Sequence, residues 1–176
     1  MNDMTDGHTV KSFNEEMNQL HDHVLQVGEL VRDQLKRAVE ALEEEDADAA
    51  REVIERDQLV NELDIEIDDE IVHLIAKRQP MARDLREILT VGKIVTDLER
   101  CGDEARKIAM LCVHFYDHNT MSPSDVILRD IVKLTEFVDS MLEKAIRAYD
   151  DLDLELALDV IRKDIDLDTE FKSCLR

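Results

Sequence analysis

Residues 12–31 read SFNEEMNQLHDHVLQVGELV, and the spacing of the apolar residues in this stretch decides the secondary structure. The apolar positions recur in alternating steps of four and three, the period of one face of an α-helix. Those positions are Phe13, Met17, Leu20, Val24, Val27 and Val31. Ser12 and Glu15 have the spacing of a capping box, so we expect the helix to begin at Ser12. The stretch therefore predicts a long amphipathic helix.

The same helical period continues between clear breaks along the rest of the chain. The run Glu43–Asp46 has no apolar residue and separates the first helix from a second, which ends at Pro80 because the residue before a proline disfavours the α conformation. We expect a third helix over about 81–116, a fourth over about 123–149, and a fifth from near Leu154. Only four glycines and two prolines are present, so the chain has little of the turn chemistry that sheets need. The fold class predicted is all-α.

A second copy of the pattern follows the first at an offset of 107 residues. The offset places residues 52–57, EVIERD, on residues 159–164, DVIRKD, and it pairs Val31 with Val138. Self-similarity at a fixed offset is typical of a duplicated structural unit. We therefore expect two tandem three-helix-bundle repeats.

The repeat boundaries follow from this register. The first repeat is expected over residues 1–118 and the second over residues 119–176. The counterpart of Pro80 would fall beyond Arg176, so the second repeat is expected to be truncated before its last helix. Apolar stripes on the fourth and fifth helices would then be exposed, and such patches drive association.

Composition limits the classes of partner and compartment. The chain carries 43 carboxylates against 22 Lys plus Arg, a formal charge of −21, so nucleic acid and anionic lipid should be repelled. We expect no signal peptide, no direct membrane insertion and a cytoplasmic location, because no long apolar run is present. The three cysteines form no C-x-x-C pair, which fits a reducing compartment.

Carboxylates at helical spacing make one candidate site. Polar side chains at positions 57, 61, 64 and 68 line one face of the second helix, and Glu99 and Asp103 lie one turn apart on the third. Two facing pairs could offer oxygen ligands to a hard cation such as Mg²⁺, Mn²⁺, Ca²⁺ or Fe³⁺. In so acidic a chain, however, such pairs arise about ten times by chance. A solvated acidic face is therefore the main alternative.

Two weaker patterns and one absence complete the inventory. His114 and His118 lie one helical turn apart and could form a second metal site, although histidines at a helix C-terminus are also favoured by the helix dipole. Cations at Lys77–Arg78 and Arg83–Arg86 bracket Pro80, where helix-end cations are a simpler explanation than a phosphate site. The sequence has no Gly-rich loop, G-x-S-x-G or Cys/His nucleophile pattern, so we expect no enzymatic activity.

Three motifs at characteristic separations carry a family resemblance. Residues 75–80 read IAKRQP, residues 84–86 read DLR, and residues 97–103 read DLERCGD. Together they resemble the PhoU family over essentially the whole chain. The resemblance implies two three-helix repeats, in agreement with the offset of 107.

The resemblance also implies metal-binding residues. The family's recurring E(D)-x-x-x-D motifs match Asp64 with Asp68 and Glu99 with Asp103, and in the family such pairs look like ligands for metal clusters. The cation implied is Fe, Zn, Mg or Mn. In the second repeat the match is poorer, because the position equivalent to Asp64 is Phe171.

The function implied by the resemblance is regulatory. PhoU-like proteins act as negative regulators of the phosphate-starvation response, as adaptors between the phosphate ABC transporter ATPase and a sensor histidine kinase, and a homodimer is expected. Two other classes remain open from the residues themselves. One is a metal-binding or metal-storing carboxylate bundle, although di-metal bundles use two Glu-x-x-His motifs and this sequence has a single one, Glu70 to His73. The other is a purely structural bundle.

Overall fold

A computed structural model describes the backbone of residues 4–117 and 123–174, and the side chains of residues 11–117 and 123–174. Five α-helices and no strand lie within those ranges, so the all-α prediction is confirmed. The helices are α1 Met4–Glu43, α2 Ala47–Arg78, α3 Ala82–Asp117, α4 Asp125–Asp150 and α5 Leu154–Cys174. The predicted repeat boundary between 118 and 119 and the candidate ligand His118 lie outside the described residues.

The predicted start of the first helix is wrong. Helix α1 begins at Met4, so Ser12 lies inside it and is not its N-cap. The Ser12 hydroxyl instead accepts a hydrogen bond from Arg78 of α2, and the Glu15 carboxylate lies 4.0 Å from Lys11 on the preceding turn of α1. Ser12 and Glu15 therefore do not cap a helix, and their side chains bind other side chains within α1 and on α2.

Helices α1, α2 and α3 pack against one another as a three-helix bundle. The apolar stripe predicted on the first helix is the centre of its core, where Val27 and Val31 are fully buried against Val60 of α2 and Val95 of α3. A second cluster, with Ala38 and other small side chains, closes the opposite end. Burial of these stripes supplies the main stabilisation of the bundle.

The connections α1–α2 and α4–α5 are built alike, with each matching position 107 residues apart. Asp46 accepts a backbone N–H from Ala49 at 2.9 Å, and Asp153 accepts one from Leu156 at 3.0 Å. The residue before each aspartate, Glu45 and Leu152, has a positive φ, of 59° and 52°. The register predicted from the sequence is therefore reproduced in the backbone of the two turns.

Helices α1 and α4 cross at equivalent positions. Arg32 Nε donates to Asp139 Oδ1 at 2.8 Å, and these two residues are also 107 apart. Towards one end of the same contact, His21 Nε2 lies 3.0 Å from Asp150 Oδ1. The earlier residue of α1 pairs with the later residue of α4, so the two helices run antiparallel. The two units thus meet about a local pseudo-two-fold axis.

The second unit is much less buried than the first. Helix α4 has one buried residue, Ala148, and α5 has none. Among the described residues α5 packs only against α4, and its Ile161, Ile165 and Phe171 are exposed. The exposed apolar residues predicted on these two helices are therefore present.

Candidate functional site

The four predicted metal ligands lie on two neighbouring helices of the bundle. Asp64 and Asp68 are one turn apart on α2, and Glu99 and Asp103 are one turn apart on α3. The core residues between them, among them Ile67, point into the bundle and turn the carboxylates towards its surface. Asp64, Glu99 and Asp103 are half-buried, and Asp68 is exposed.

The carboxylates lie close enough to perturb one another. Partial burial raises the pKa of Glu99, and the negative charges of Asp103, Asp64 and Asp57 raise it further. Partial burial likewise raises the pKa of Asp64, with the charge of Asp68 as the second cause. Carboxylates that repel one another in this way favour either a proton or a bound cation.

One cation at this face escaped the sequence reasoning. Arg106, on the turn of α3 after Asp103, places Nη2 3.1 Å from Asp103 Oδ1 and Nε 3.1 Å from Asp57 Oδ2. Its spacing of three from Asp103 was a signal that could have been used. Its contact with α2 had no signal in the sequence. Arg106 therefore already neutralises one edge of the acidic face.

Asp57 belongs to a buried network and not to the exposed face. Its side chain is 7% exposed and accepts hydrogen bonds from Gln34 Nε2 at 2.7 Å and from Asn61 Nδ2 at 3.3 Å. Gln34 also donates to the backbone carbonyl of Gly102 at 3.2 Å. Because α1, α2 and α3 each contribute, the network fixes the relative position of the three helices beneath the carboxylates.

The fit of a metal ion to this face is partial. The oxygen donors suit a hard cation, and the raised pKa values favour one. However, no three acidic, histidine or cysteine side chains converge into a ligand set anywhere in the described part of the chain. An ion held by Asp64, Glu99 and Asp103 would need side-chain rotation and release of Asp103 from Arg106.

The basic spot around Pro80 is largely engaged in structural bonds. Lys77 Nζ and Arg78 Nε each lie 2.8 Å from the carboxylate of Glu16 on α1. Arg86 donates to the Ala82 carbonyl at 3.4 Å within its own helix. Lys77 and Arg78 lie in the last turn of α2, as the helix-end interpretation expects, whereas Arg83 and Arg86 lie in the first turns of α3, where the helix dipole does not favour cations.

The sequence predicted no direct membrane insertion, and the length and apolarity of the helices bear on this prediction. Within residues 4–117 and 123–174, no helix combines the length and the apolarity needed to span a bilayer.

Comparison with known proteins gives one family. A family model described as "PhoU domain" matches residues 24–112 and 131–176. The chain is 38% identical to the phosphate-specific transport system accessory protein PhoU homolog of Pseudomonas putida and 37% identical to that of Pseudomonas aeruginosa, in both cases over 96% of its length. The PhoU protein of Escherichia coli strain K12 is 32% identical over the same share. The chain spans 65%, 69% and 68% of these three relatives.

Solved structures share the fold. The crystal structure of PhoU from Pseudomonas aeruginosa superposes with a TM-score of 0.86 at 37% identity, over 93% of this chain and 77% of that one. The phosphate transport system regulatory protein PhoU from Streptococcus pneumoniae superposes with a TM-score of 0.80 over 92% of this chain and 74% of that one. Its 24% identity supports the fold alone.

Proposed function

The chain belongs to the PhoU family, and from this we propose that it is a regulatory accessory protein of a phosphate transport system. In this proposal it is a non-enzymatic adaptor that joins the phosphate ABC transporter ATPase to a sensor histidine kinase and represses the phosphate-starvation response. The observation that carries the proposal is the similarity to PhoU proteins over 96% of the chain. Long helices with charged exposed faces suit this role, because complementary charge gives docking its specificity and its rate.

The adaptor role is tested by co-purification and by a reporter. The tagged full chain, expressed in its own cells under high phosphate, should recover both the transporter ATPase and the sensor kinase. Deleting its gene should switch on a phosphate-starvation reporter at high phosphate, and the restored gene should silence it. Recovery of neither partner together with an unchanged reporter would exclude the role.

We also propose that Asp64, Asp68, Glu99 and Asp103 bind a metal cation, with Fe, Zn, Mg and Mn as the candidates. Support comes from the raised pKa values of Glu99 and Asp64, which burial raises first and neighbouring carboxylates raise further, since a bound cation would offset both effects. Arg106 would compete with the ion for Asp103, with which it is paired at 3.1 Å.

A matched pair of double variants tests this metal proposal. Glu99→Gln with Asp103→Asn should weaken binding of Mn²⁺ or Fe³⁺ by calorimetry at least tenfold, whereas Asp97→Asn with Glu104→Gln removes the same charge from exposed positions of α3 and should change it less than twofold. Arg106→Gln should tighten binding. Equal losses of metal affinity in both double variants would show that net charge, and not these four carboxylates, determines binding. A stoichiometry of many ions per chain would favour a metal-storing bundle instead.

The assembly and location proposed for the chain follow from the same role. An adaptor that contacts a transporter ATPase and a kinase works at the cytoplasmic side of the membrane, so we propose a cytoplasmic location. We propose a homodimer because the PhoU resemblance implies one and because α5 exposes Ile161, Ile165 and Phe171. Sedimentation velocity and cell fractionation test these two statements separately.

A further inference from the structure

A groove of about 900 Å³ runs along the outer surface between α1 and α2, away from the α2–α3 carboxylates. Its α2 side runs from Glu62 to Lys77, and its α1 side includes Glu16 and Gln19. At 1.5 Å per residue, the α2 side is about 22 Å long. That length equals about four turns of a second helix.

Two large apolar side chains are exposed in this groove. Ile65 is 64% exposed and Val72 is 66% exposed, and both line the groove. They are seven residues apart and therefore lie on the same side of α2. Exposed β-branched residues bury little area in the core and are weaker helix formers than lysine or glutamate, which usually occupy such positions. The fold itself gains little from them, so their burial is available to a partner.

A row of carboxylates runs beside the apolar pair. Glu62, Glu66 and Asp69 follow one another at steps of four and three along the groove. Glu66 and Asp69 have no ion pair among the side chains that the structure describes, and both are exposed. Lys77, the cation at the end of the groove, is already bound to Glu16 at 2.8 Å. The groove therefore combines an apolar strip with uncompensated negative charge.

We propose that this groove is the docking site for a cationic amphipathic helix of a partner protein. The apolar face of the helix would cover Ile65 and Val72, and its lysines or arginines would meet Glu66 and Asp69. Recognition of this kind uses apolar anchors one or two turns apart, with charge setting orientation and specificity. The inference rests on the proposed adaptor role, because it names the chemistry of one partner contact.

A synthetic peptide serves as the probe. The peptide is a helix of about 18 leucines and lysines, with the leucines at helical spacing on one face. We expect the full chain to bind it, and to bind tenfold more weakly a peptide of the same composition whose order destroys that spacing. An acidic peptide with glutamate in place of lysine should not bind.

Matched substitutions locate the binding. Glu66→Lys with Asp69→Lys should weaken peptide binding at least tenfold, whereas Glu52→Lys with Glu55→Lys makes the same charge change at exposed positions of α2 outside the groove and should weaken it less than threefold. Ile65→Ser with Val72→Ser should also weaken it tenfold. Leu59→Ser, at a residue 46% exposed on the same helix and outside the groove, should not.

The outcomes separate this inference from the adaptor role. Equal losses in the two charge-reversed variants, or binding of the acidic peptide, would overturn the docking site. So would a dimer that dissociates on Ile65→Ser with Val72→Ser while the peptide fails to bind, because a second copy would then occupy the groove. If Ile65→Ser with Val72→Ser still recovers the transporter ATPase and the kinase in full, the groove is rejected and the adaptor role stands.

Discussion

Glu16 on α1 holds two cations of α2 at the end of the bundle. Arg78 Nε and Lys77 Nζ both lie 2.8 Å from its carboxylate oxygens, and the Arg78 side chain is 13% exposed. The hydrogen bonds from Arg78 and then Lys77 lower the pKa of Glu16 from 4.5 to about 2. A carboxyl whose pKa is lower in the folded than in the unfolded state stabilises the fold above its unfolded pKa.

Glu16→Gln should therefore lower stability in a pH-dependent way. At pH 7 we expect the free energy of unfolding to fall by about 1 kcal/mol, a value reduced for solvent screening of a partly exposed group. The difference should shrink as the pH falls from 4.5 and vanish near pH 2, where the native carboxyl is itself protonated. Urea unfolding at several pH values measures it.

The matched control for that change is Glu15→Gln, at the preceding residue of the same helix. Glu15 is 67% exposed and lies 4.0 Å from Lys11, so its removal should change stability by less than about 0.5 kcal/mol. A loss as large as that of Glu16→Gln would contradict the assignment of the effect to Arg78 and Lys77.

The buried carboxylate Asp57 has a larger role in stability. Asp57→Ala would leave the amide of Gln34 and part of the Arg106 guanidinium without their acceptor, at a cost of about 3 kcal/mol in the free energy of unfolding. Asp97→Ala, at a side chain 76% exposed, should cost less than about 0.5 kcal/mol. Chemical denaturation compares the two variants, and similar losses would show that the network does not hold the helices.

Glu99 should show the opposite pH dependence to Glu16. Its pKa is raised above 4.5, so the folded state holds the proton more tightly and loses stability as the pH rises through that raised pKa. Glu99→Gln removes the charge and should raise the midpoint of thermal unfolding at pH 7, with little change near pH 4. Calorimetric melts test this, and a lower midpoint at pH 7 would show that Glu99 makes a favourable contact that repulsion does not outweigh.

Helical spacing alone placed Asp64 with Asp68 and Glu99 with Asp103, because residues four apart share a face whatever the tertiary fold. Nothing in spacing could place Gln34 under this face, since Gln34 precedes its bonding partner Gly102 by 68 residues. Nor could it show that Asp57, on the same line of α2, is buried. Those facts depend on which helix lies next to which, and they set the charge balance of the candidate site.

At the scale of single helices, Gly28 determines how closely α4 approaches α1. A Cβ added at Gly28 would lie 2.6 Å from Ile146 Cδ1 and 2.9 Å from Ile146 Cγ1, both too close for contact. Glycine costs a helix interior about 1 kcal/mol relative to alanine. Gly28 therefore lowers the helix propensity of α1 but allows Ile146 of α4 to pack closely against its backbone.

Gly28→Ala should consequently be strongly coupled to Ile146. The gain in helix propensity, about 1 kcal/mol, is opposed by overpacking of 1–3 kcal/mol, roughly. Ile146→Ala should cost about 1 kcal/mol less in the Gly28→Ala background than in the native chain. A double-mutant cycle of unfolding free energies measures this coupling, and additive effects would mean that α4 shifts freely.

The ends of most elements were predictable from local chemistry, but one start was not. Pro80 and the run Glu43–Asp46 end helices through backbone and solvation rules that act locally. Ser12 obeyed a local rule that the structure did not use, because α2 offered its hydroxyl an arginine partner. A polar helix can extend past a capping signal, and the tertiary contact decides where the side chain bonds.

At the scale of the whole molecule, the two units differ in how they are held. The first has a closed core shared by three helices, whereas α4 packs on α1 with a single buried residue and is also held there by Arg32, which binds Asp139 at 2.8 Å and Glu143 at 3.0 Å. Burial alone would raise the pKa of Asp139. The hydrogen bonds from Arg32 and Lys36 outweigh burial and lower that pKa below its usual value. Regions with few buried contacts open more readily than the core.

Hydrogen exchange should reveal this difference. Amides of α4 and α5 should exchange faster than those of α2 and α3, and Arg32→Ala should accelerate only the former, by about 2 kcal/mol in opening free energy. Arg37→Ala is the matched control, because Arg37 is 49% exposed and pairs within α1. Uniform acceleration across all five helices would show that the two units unfold together.

The offset of 107 was visible in the sequence because duplication preserves the apolar period and the turn chemistry at Asp46 and Asp153. The crossing of α1 and α4 was not visible, because a repeat register gives no information on how two units face each other. Only the three-dimensional structure shows that Arg32 binds Asp139.

The ion pair between Arg32 and Asp139 has a consequence for how two repeats can be held together. Two separate copies of one repeat, joined about a two-fold axis, would bring the same amino acid to both sides of the axis, where like charges repel. When both copies belong to one polypeptide, the two equivalent positions can hold different amino acids, and here Arg32 faces Asp139 at 2.8 Å. Covalent linkage of the two units therefore permits an attractive ion pair at the axis, where two identical chains would place like charges side by side.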